Sequence, residues 1–576
     1  MHYHPIAQES AFILFEVLQA GASLQALDAF AETDQLLMRQ VLEESARFAG
    51  ERVAPLNRSG DEAGCVFSEG RVSTPAGFRD AYQDFVEAGW PSLACATGDG
   101  GQGLPWVLEG ITYEWLSGAN HAWTMAPGLL HGAYECISHH ASEALKAQYL
   151  GRIASGQWLA TMCLTEAHAG SDLGLVRTRA QPRDDASHAI TGAKIFISGG
   201  EHDLTDNIIH LVLARLPDAP PGPKGLSLFL APKVLPDGSR NGVACDRIEE
   251  KMGLHGSPTC SMRFDDATGW LVGQPNQGLA AMFIMMNAAR LHVALQGVGL
   301  LDAAWQKADA YAQERQQMRA PGPRDATAAG MADPIIRHPA IQRVLSTQRA
   351  WIDGARLLCY RTGIELDMAR HHPDDARRRR AASWCSLVTP ILKSACTEQA
   401  FEGASQCLQV LGGHGYVLEW GIEQIVRDAR VTMIYEGTNE IQAIDLLIRK
   451  VLPDGGAALN ALLDSLLKDL HESLAEGGAQ SQAHDAARAA ISALQTATQE
   501  ICTAHAAGTQ VAWWVAGDYL RMAAIALLSY AWAQIAGKAS ASPDPAQCRQ
   551  AQQAFDEWVL PELQMRHAMI TRRCQP

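Results

Sequence analysis

The feature that most constrains this chain is a double change in the period of its apolar residues. From Ser23 to about Gln157 they recur at helical spacing, with Leu36, Leu37, Val41 and Leu42 sharing one face and glycine and proline punctuating the segments. Between 189 and 264 the pattern becomes short runs, Ala189 to Ser198, Ile208 to Leu216, Gly225 to Ala231 and Ser261 to Phe264, bounded by turn clusters such as Pro217 to Pro223 and Pro236 to Gly242. These read as strands of an antiparallel β-domain. After Gly278 helical spacing resumes in stretches long enough to pack as a bundle, Leu279 to Met318, Ile341 to His371 and Ala381 to Leu411. Two loops interrupt the bundle, Ala320 to Pro334 and His371 to Asp375, the second leading into the basic run Arg377 to Arg380, which reads as a solvated helix start. Beyond Pro453 come Leu459 to Leu474, Ala483 to Gly508 and Val511 to Ile535, an appended helical domain. Its Trp513, Trp514, Tyr519, Tyr530 and Trp532 fall at helical spacing, which suits a packed core and also an aromatic face covering a partner subunit. At 576 residues the chain exceeds what one hydrophobic core serves, so these blocks imply several domains.

Composition narrows the partners. A formal charge of −16 with a pI near 5.7 disfavours any general attraction to nucleic acid or to an anionic membrane, so a polyanionic ligand needs a dedicated pocket. The 13 cysteines show neither Cys-x-x-Cys pairs nor zinc-like spacing, and read as reduced core residues with no metal site. The first ten residues are polar and Glu16 interrupts the apolar run after them, so no signal peptide is expected. No run approaches the ~20 apolar residues that span a bilayer, and a soluble cytoplasmic enzyme is the expectation.

Gly98, Gly100 and Gly103 meet the G-x-G-x-x-G spacing, but they sit among helical segments rather than between a strand and a helix, so a loop without a phosphate role is expected. More informative is Cys163-Leu164-Thr165-Glu166-Ala167-His168-Ala169-Gly170-Ser171-Asp172. It packs hydroxyl, glycine and carboxylate groups into a loop entering the β-domain, where backbone N–H groups and hydroxyls can hydrogen-bond a planar heterocycle. Downstream, Gln409-Val410-Leu411-Gly412-Gly413 places two glycines after a helix, where backbone can approach a phosphate closely. Tyr435-Glu436-Gly437-Thr438-Asn439-Glu440 sets a carboxylate beside polar groups at a helix entry.

Together with Lys194-Ile195-Phe196-Ile197-Ser198-Gly199, these stretches resemble the acyl-CoA dehydrogenase family, in a branch of long chains with a C-terminal helical extension. The resemblance implies an α+β, mostly α fold: an N-terminal extension (1–35), a helical domain (36–160), a middle antiparallel β-domain (161–277), a helical bundle (278–452) and an additional helical domain (453–576). It implies FAD as cofactor, with Cys163, Leu164, Thr165, Gly170 and Ser171 lining the flavin, Phe196 covering it and Ser198 near its reactive nitrogen. Gln409, Val410, Gly412 and Gly413 would reach the diphosphate of a neighbouring subunit's flavin, Arg315 would meet pyrophosphate, and Thr438 and Glu440 would add cofactor contacts. Ser171, Asn287, Arg290 and Gly437 would touch substrate. Glu436 would be the base, since Ala289, at the position that carries the base in some branches, cannot accept a proton.

The implied reaction is α,β-dehydrogenation of a short-to-medium or methylthio acyl-CoA to a trans-2-enoyl-CoA. The α-proton of a thioester is weakly acidic, so its removal needs a held base, a stabilised oxygen and an acceptor for the β-hydrogen. Electrons would pass to an electron-transferring flavoprotein, and the enzyme would be a homo-oligomer, most simply a dimer. An oxidase of the same fold and a nucleic-acid-associated flavoprotein are the alternatives; the acidic C-terminal segment opposes the second.

Overall fold

The computed structural model describes residues 2–322, 332–475 and 482–575, the side chains of 284, 287 and 473–475 excepted. Most of the loop expected from Ala320 to Pro334 therefore lies outside the described residues. The chain divides into two compact units, one formed by 48–109 and 119–292, the other by 1–47, 110–118 and 293–576.

The first unit holds the β-structure. Its sheet comprises β1 (Leu159–Cys163), β2 (Arg179–Pro182), β3 (His188–Ser198), β4 (Ile208–Ala214), β5 (Ser227–Pro232), β6 (Val243–Ile248) and β7 (Thr259–Val272). The order is β1-β4-β5-β7-β3-β2, with β6 also paired to β7. Every residue of β4 and β5 is buried, which is why those runs are continuously apolar rather than alternating. One pairing departs from the antiparallel expectation: β1 runs parallel to β4, from Leu159 opposite Ile208 to Cys163 opposite Val212. Parallel neighbours need a long crossover, and here residues 164–207 supply it with β2 and β3 inside. β3 is not a regular strand either. Its register against β7 shifts twice, between Ile190 and Gly192 and between Lys194 and Ile197. Phe196, in the second bulge, has φ +60° and is 60% exposed, a break in the strand that the run Ala189 to Ser198 predicts.

Helices α1 (Trp106–Thr124, of which 110–118 belong to the other unit) and α2 (Leu130–His140) belong to this unit with the first part of α3 (Gly278–Glu314). Buried between them is an acid–imidazole cluster: His131 Nδ1 lies 3.0 Å from Glu109 Oε2, and its Nε2 lies 3.5 Å from Glu135 Oε1. Burial opposes charge on His131, but the flanking carboxylates and the Cys95 contact outweigh it and hold its pKa well above 6.5. Four other buried imidazoles of this unit go the opposite way. Desolvation lowers His121, His202 and His210 to about 3 and His292 to about 4.

These four groups bind fewer protons folded than unfolded, so their stability contribution is present above 6.5 and shrinks as pH falls from 6.5 toward those values. His131 contributes with opposite sign, fully below 6.5 and less as pH rises through its raised pKa. Four outnumber one on the acid side. The unfolding free energy from denaturant titration should fall steadily between pH 7 and pH 5, by up to about 1.4 kcal/mol per pH unit for each neutral imidazole; a flat profile over that range would contradict this account.

The second unit is helical: the later part of α3, then α4 (Pro339–His371), α5 (Asp375–Leu411), α6 (Asn439–Ile444), α7 (Ala457–Ala475), α8 (Gln482–Ala506), α9 (Val511–Gly537) and α10 (Pro561–Cys574). α5 begins earlier than its apolar pattern, because Asp374 caps the backbone N–H groups of Ala376 and Arg377. The basic run is thus the first turns of α5, and Arg377 Nη2 donates to Glu365 Oε1 at 2.8 Å. Where α4 meets α9 a Cβ at Gly354 would stand 2.7 Å from Leu528 Cδ2 and 3.2 Å from Trp532 Nε1, so a larger residue there would have to displace those side chains. The aromatic residues of α9 divide: Tyr519, Tyr530 and Trp532 are core, while Trp513 and Trp514 are exposed. By length and composition α3 and α9 are long and apolar enough to cross a membrane, contrary to the sequence expectation, but 75% and 78% of the qualifying windows are buried inside the protein.

The N-terminal segment belongs to this unit through buried charge. Arg356 donates to Glu114 Oε1 (2.7 Å), Asp302 Oδ2 (2.8 Å) and Glu9 Oε2 (3.0 Å), while the Tyr3 hydroxyl donates to Asp302 (3.0 Å). One guanidinium so collects carboxylates from three stretches of chain, satisfying groups that burial would otherwise make costly.

Candidate functional site

The sequence-expected residues fall into two groups, one in each unit. In the β-unit, β1 delivers Cys163 and then Leu164 and Thr165 into a loop that folds back at once, Glu166 and Ala169 exchanging backbone hydrogen bonds of 3.0 Å. Gly170 and Ser171 are exposed at its tip, and Asp172 accepts from Gly174 N at 2.9 Å. The loop is tied to β3. Ile195 N donates to Thr165 O (2.9 Å), and the fully buried Lys194 donates through Nζ to Leu164 O (3.0 Å) and Glu166 Oε1 (2.9 Å). Glu166 also accepts from Thr178 N (3.0 Å), Thr178 Oγ1 (2.6 Å) and Arg177 N (2.8 Å). Burial resists its ionisation, yet Lys194 and these donors hold its carboxyl below the usual range. From the other side Arg215 donates to Val176 O (2.8 Å) and Gly174 O (2.6 Å). Ser198 is half-buried, and Arg290 on α3 is buried. The side chain of Asn287 lies outside the described residues.

In the helical unit the loop before α6 carries Glu436. Its backbone is left-handed, φ +55°, and Gly437 follows at φ +84°. A non-glycine residue in this region is strained and persists only where its surroundings over-determine it. They do so here. Gln442 Nε2 donates to Glu436 O (3.0 Å) and Gly437 O (3.2 Å), and Lys393 on α5, wholly buried, donates through Nζ to Gly437 O (2.8 Å) and Asn439 Oδ1 (3.1 Å). The Asn439 amide donates to Ser394 O at 3.2 Å, and Thr438 caps α6 by accepting from Ile441 N. Beside Glu436 the Tyr435 hydroxyl donates to Gln296 Oε1 at 2.7 Å; burial first, then the negative charge of Glu436, holds that phenol protonated well above its ordinary range. Glu440 is exposed on the first turn of α6.

The remaining expected residues of this unit are not gathered at that loop. Gln409 and Val410 end α5, Gly412 turns the chain with φ +59°, and a Cβ at Gly412 or Gly413 would meet nothing within 4 Å. Lys393 and Leu411 share one continuous helix, so the glycines stand about 27 Å along its axis from the Glu436 loop, at 1.5 Å per residue. Arg315 lies exposed just past α3. Sequence reasoning did not single out Lys194, Glu166, Lys393 or Gln442 as site residues. The first two stand inside the quoted motifs, and an acid and a lysine flanking two apolar motifs were the available signal; Lys393 offers none, since only the packing of α5 on the loop gives it a role.

Models of the C-terminal, middle and N-terminal domains of acyl-CoA dehydrogenases match residues 276–451, 161–267 and 37–157. The chain is 45% identical over 461 residues to 3-methylmercaptopropionyl-CoA dehydrogenase from Ruegeria pomeroyi, covering 79% of this chain and 77% of that one. This chain belongs to the acyl-CoA dehydrogenase family. It is an oxidoreductase of a family whose cofactor is FAD and whose substrates are acyl-CoA thioesters. The dehydrogenase is also 36% identical over 476 residues to a broad-specificity linear acyl-CoA dehydrogenase from Mycobacterium tuberculosis, covering 80% of this chain and 77% of that one. Its fold matches an acyl-CoA dehydrogenase from Bacillus anthracis complexed with FAD, with a TM-score of 0.74 over 95% of this chain and 90% of that one, at 20% identity.

The residues present fit FAD. An exposed aromatic face at Phe196, the hydroxyls of Thr165, Ser171 and Ser198, and open backbone at Gly412 and Gly413 match a ring system, its polar edge and a diphosphate respectively.

The dehydrogenase should tolerate no side chain at 437. A Cβ there would stand 2.8 Å from Gln442 Nε2 on a backbone already at φ +84°. Gly437→Ala is expected to cost about 1–2 kcal/mol in denaturant unfolding; an unchanged midpoint would show that the loop relaxes freely.

Proposed function

We propose that the enzyme oxidises the Cα–Cβ bond of a short-to-medium or methylthio acyl-CoA, with Glu436 as the base that removes the α-proton. The observation that carries this is the Glu436 loop itself: a carboxylate on strained backbone, its own carbonyl and the next one fixed by Gln442 and Lys393. A general base must be held against a specific proton, and strain maintained by surrounding hydrogen bonds is a means of holding it. Tyr435, kept protonated and donating to Gln296, fixes the neighbouring backbone without competing for that proton.

Bound FAD supplies the acceptor for the β-hydrogen and its electron pair. Thr165, Ser171 and Ser198 would hold its polar edge and Phe196 would cover its ring, with Cys163, Leu164 and Gly170 shaping the loop; Thr438 and Glu440 would add cofactor contacts. The N–H of Glu436 donates to the thioester oxygen as charge builds there. Arg290 and Gly437 would each add substrate contacts. An electron-transferring flavoprotein would take up the electrons. Thirteen free thiols support a reducing, cytoplasmic setting. The high identity to an enzyme named for a methylthio substrate supports that chain class.

Anaerobic titration with a panel of acyl-CoA thioesters should bleach the oxidised flavin band with short-to-medium or thioether chains. Glu436→Gln should keep its FAD and lose the rate of that bleaching by about 10²–10⁴-fold. Bleaching by none of the panel removes the dehydrogenase reading, and full-rate bleaching of the variant removes Glu436 as base.

A distance supports an assembly of more than one copy. Gln409 to Gly413 stand about 27 Å along α5 from their own chain's Glu436 loop, and we propose that they hold the diphosphate of a second copy's FAD, with Arg315 beside it. The holoenzyme should have the mass of a dimer or a higher oligomer by light scattering; a fully active monomer would be incompatible with this assignment.

A further inference from the structure

We propose that Glu166 and Lys194 are a positioning pair for FAD, locking the Cys163–Asp172 loop to the bulge that carries Phe196 so that both form one surface before the cofactor arrives. This rests on the reading of that loop and bulge as the flavin's seat.

Three links join the two elements, and they fall on consecutive residues. Lys194 Nζ reaches back to Leu164 O (3.0 Å), Ile195 N donates to Thr165 O (2.9 Å), and Lys194 Nζ also meets Glu166 Oε1 (2.9 Å). The loop therefore cannot shift against β3 without breaking a buried charged contact. Lys194 is 0% exposed and Glu166 5%, so neither can exchange its partner for water. Glu166 in turn is oriented by Thr178 through a hydroxyl (2.6 Å) and an N–H (3.0 Å), which carries the restraint to the chain beyond the loop.

The strained element sits immediately next to this lock. Phe196 has φ +60° in a β-bulge and turns its ring outward. A bulky residue there needs neighbours that leave it no alternative, and Lys194 anchors the chain two residues before it while Ile197 rejoins the ladder opposite Cys260 immediately after. Fold stability does not require such a pair. Buried ion pairs often contribute little net free energy because desolvation offsets attraction, and apolar replacements of both partners are frequently tolerated. A retained pair whose ammonium also grips a backbone carbonyl is better explained by geometry.

The test uses the full-length apoprotein and FAD, following the quenching of flavin emission on binding, alongside thermal melting of the apoprotein. The double variant Glu166→Gln with Lys194→Met removes both charges, keeps an acceptor for Thr178 and keeps most of the lysine stem. It should melt within a few degrees of the parent and bind FAD at least tenfold more weakly. A double variant that melts like the parent and binds FAD equally well overturns the proposal. Should the double variant not fold, Thr178→Val removes only the hydroxyl that orients Glu166; a severalfold loss of FAD affinity supports the proposal and unchanged affinity overturns it. A parent that binds no FAD overturns the seat and the pair together, whereas a parent that binds FAD but is not bleached by acyl-CoA refutes the substrate reading and leaves this test intact.

Discussion

A lysine ammonium removed from water and clamped on a backbone carbonyl is the interaction on which both candidate site loops depend. Lys194 does this at Leu164 O, one residue before Thr165, and Lys393 does it at Gly437 O, one residue after Glu436. Each lysine is fully buried and stands on regular structure, a strand in one case and a long helix in the other. An unpaired ammonium in such a place would cost several kcal/mol, so each loop that supplies the carbonyl is held to one conformation. Both loops present a non-glycine residue with positive φ nearby, Phe196 and Glu436, and such conformations survive only where the rest of the fold enforces them.

The β-unit shows how far the apolar pattern reaches as a guide. The runs over β4 and β5 were legible because every side chain there is buried, leaving no ambiguity of face. β7 was legible only from Ser261 to Phe264, because Asp265, Asp266 and Gly269 interrupt a strand that in fact continues to Val272. β6 was missed: Val-Ala-Cys-Asp-Arg-Ile offers two charges in six residues, and only pairing with β7 makes it a strand. The parallel β1–β4 pair was equally hidden, since strand direction is decided by the route of the intervening chain and not by either segment.

At the candidate site the motifs were legible but the supports were not. Glu436, Thr165 and the Gly412-Gly413 turn announce themselves by residue type and local order. Gln442 does not, because its role is to bond two carbonyls across a tight loop, and Lys393 does not, because it acts 44 positions away from Gly437. The aromatic residues of α9 make the same point. Spacing alone could not separate Trp532, whose indole N–H donates to Ala350 O at 3.1 Å, from Trp514, which lies exposed beneath the Arg573 guanidinium.

Arg356 has a temporal consequence. Its contact with Glu9 joins residues 347 positions apart, and Glu114 is drawn into the same knot from the middle of the chain. A ribosome adding about 5–20 residues per second needs roughly 20 to 70 seconds to travel from one to the other. Throughout that interval the opening helix, with Phe12, Leu14 and Phe15 on its inner side, has no docking surface from α4. Residues 48–109 and 119–292 emerge earlier and already contain the sheet. During synthesis the sheet-bearing unit of this dehydrogenase is therefore available to fold first, while the opening residues meet Arg356 only after α4 has emerged.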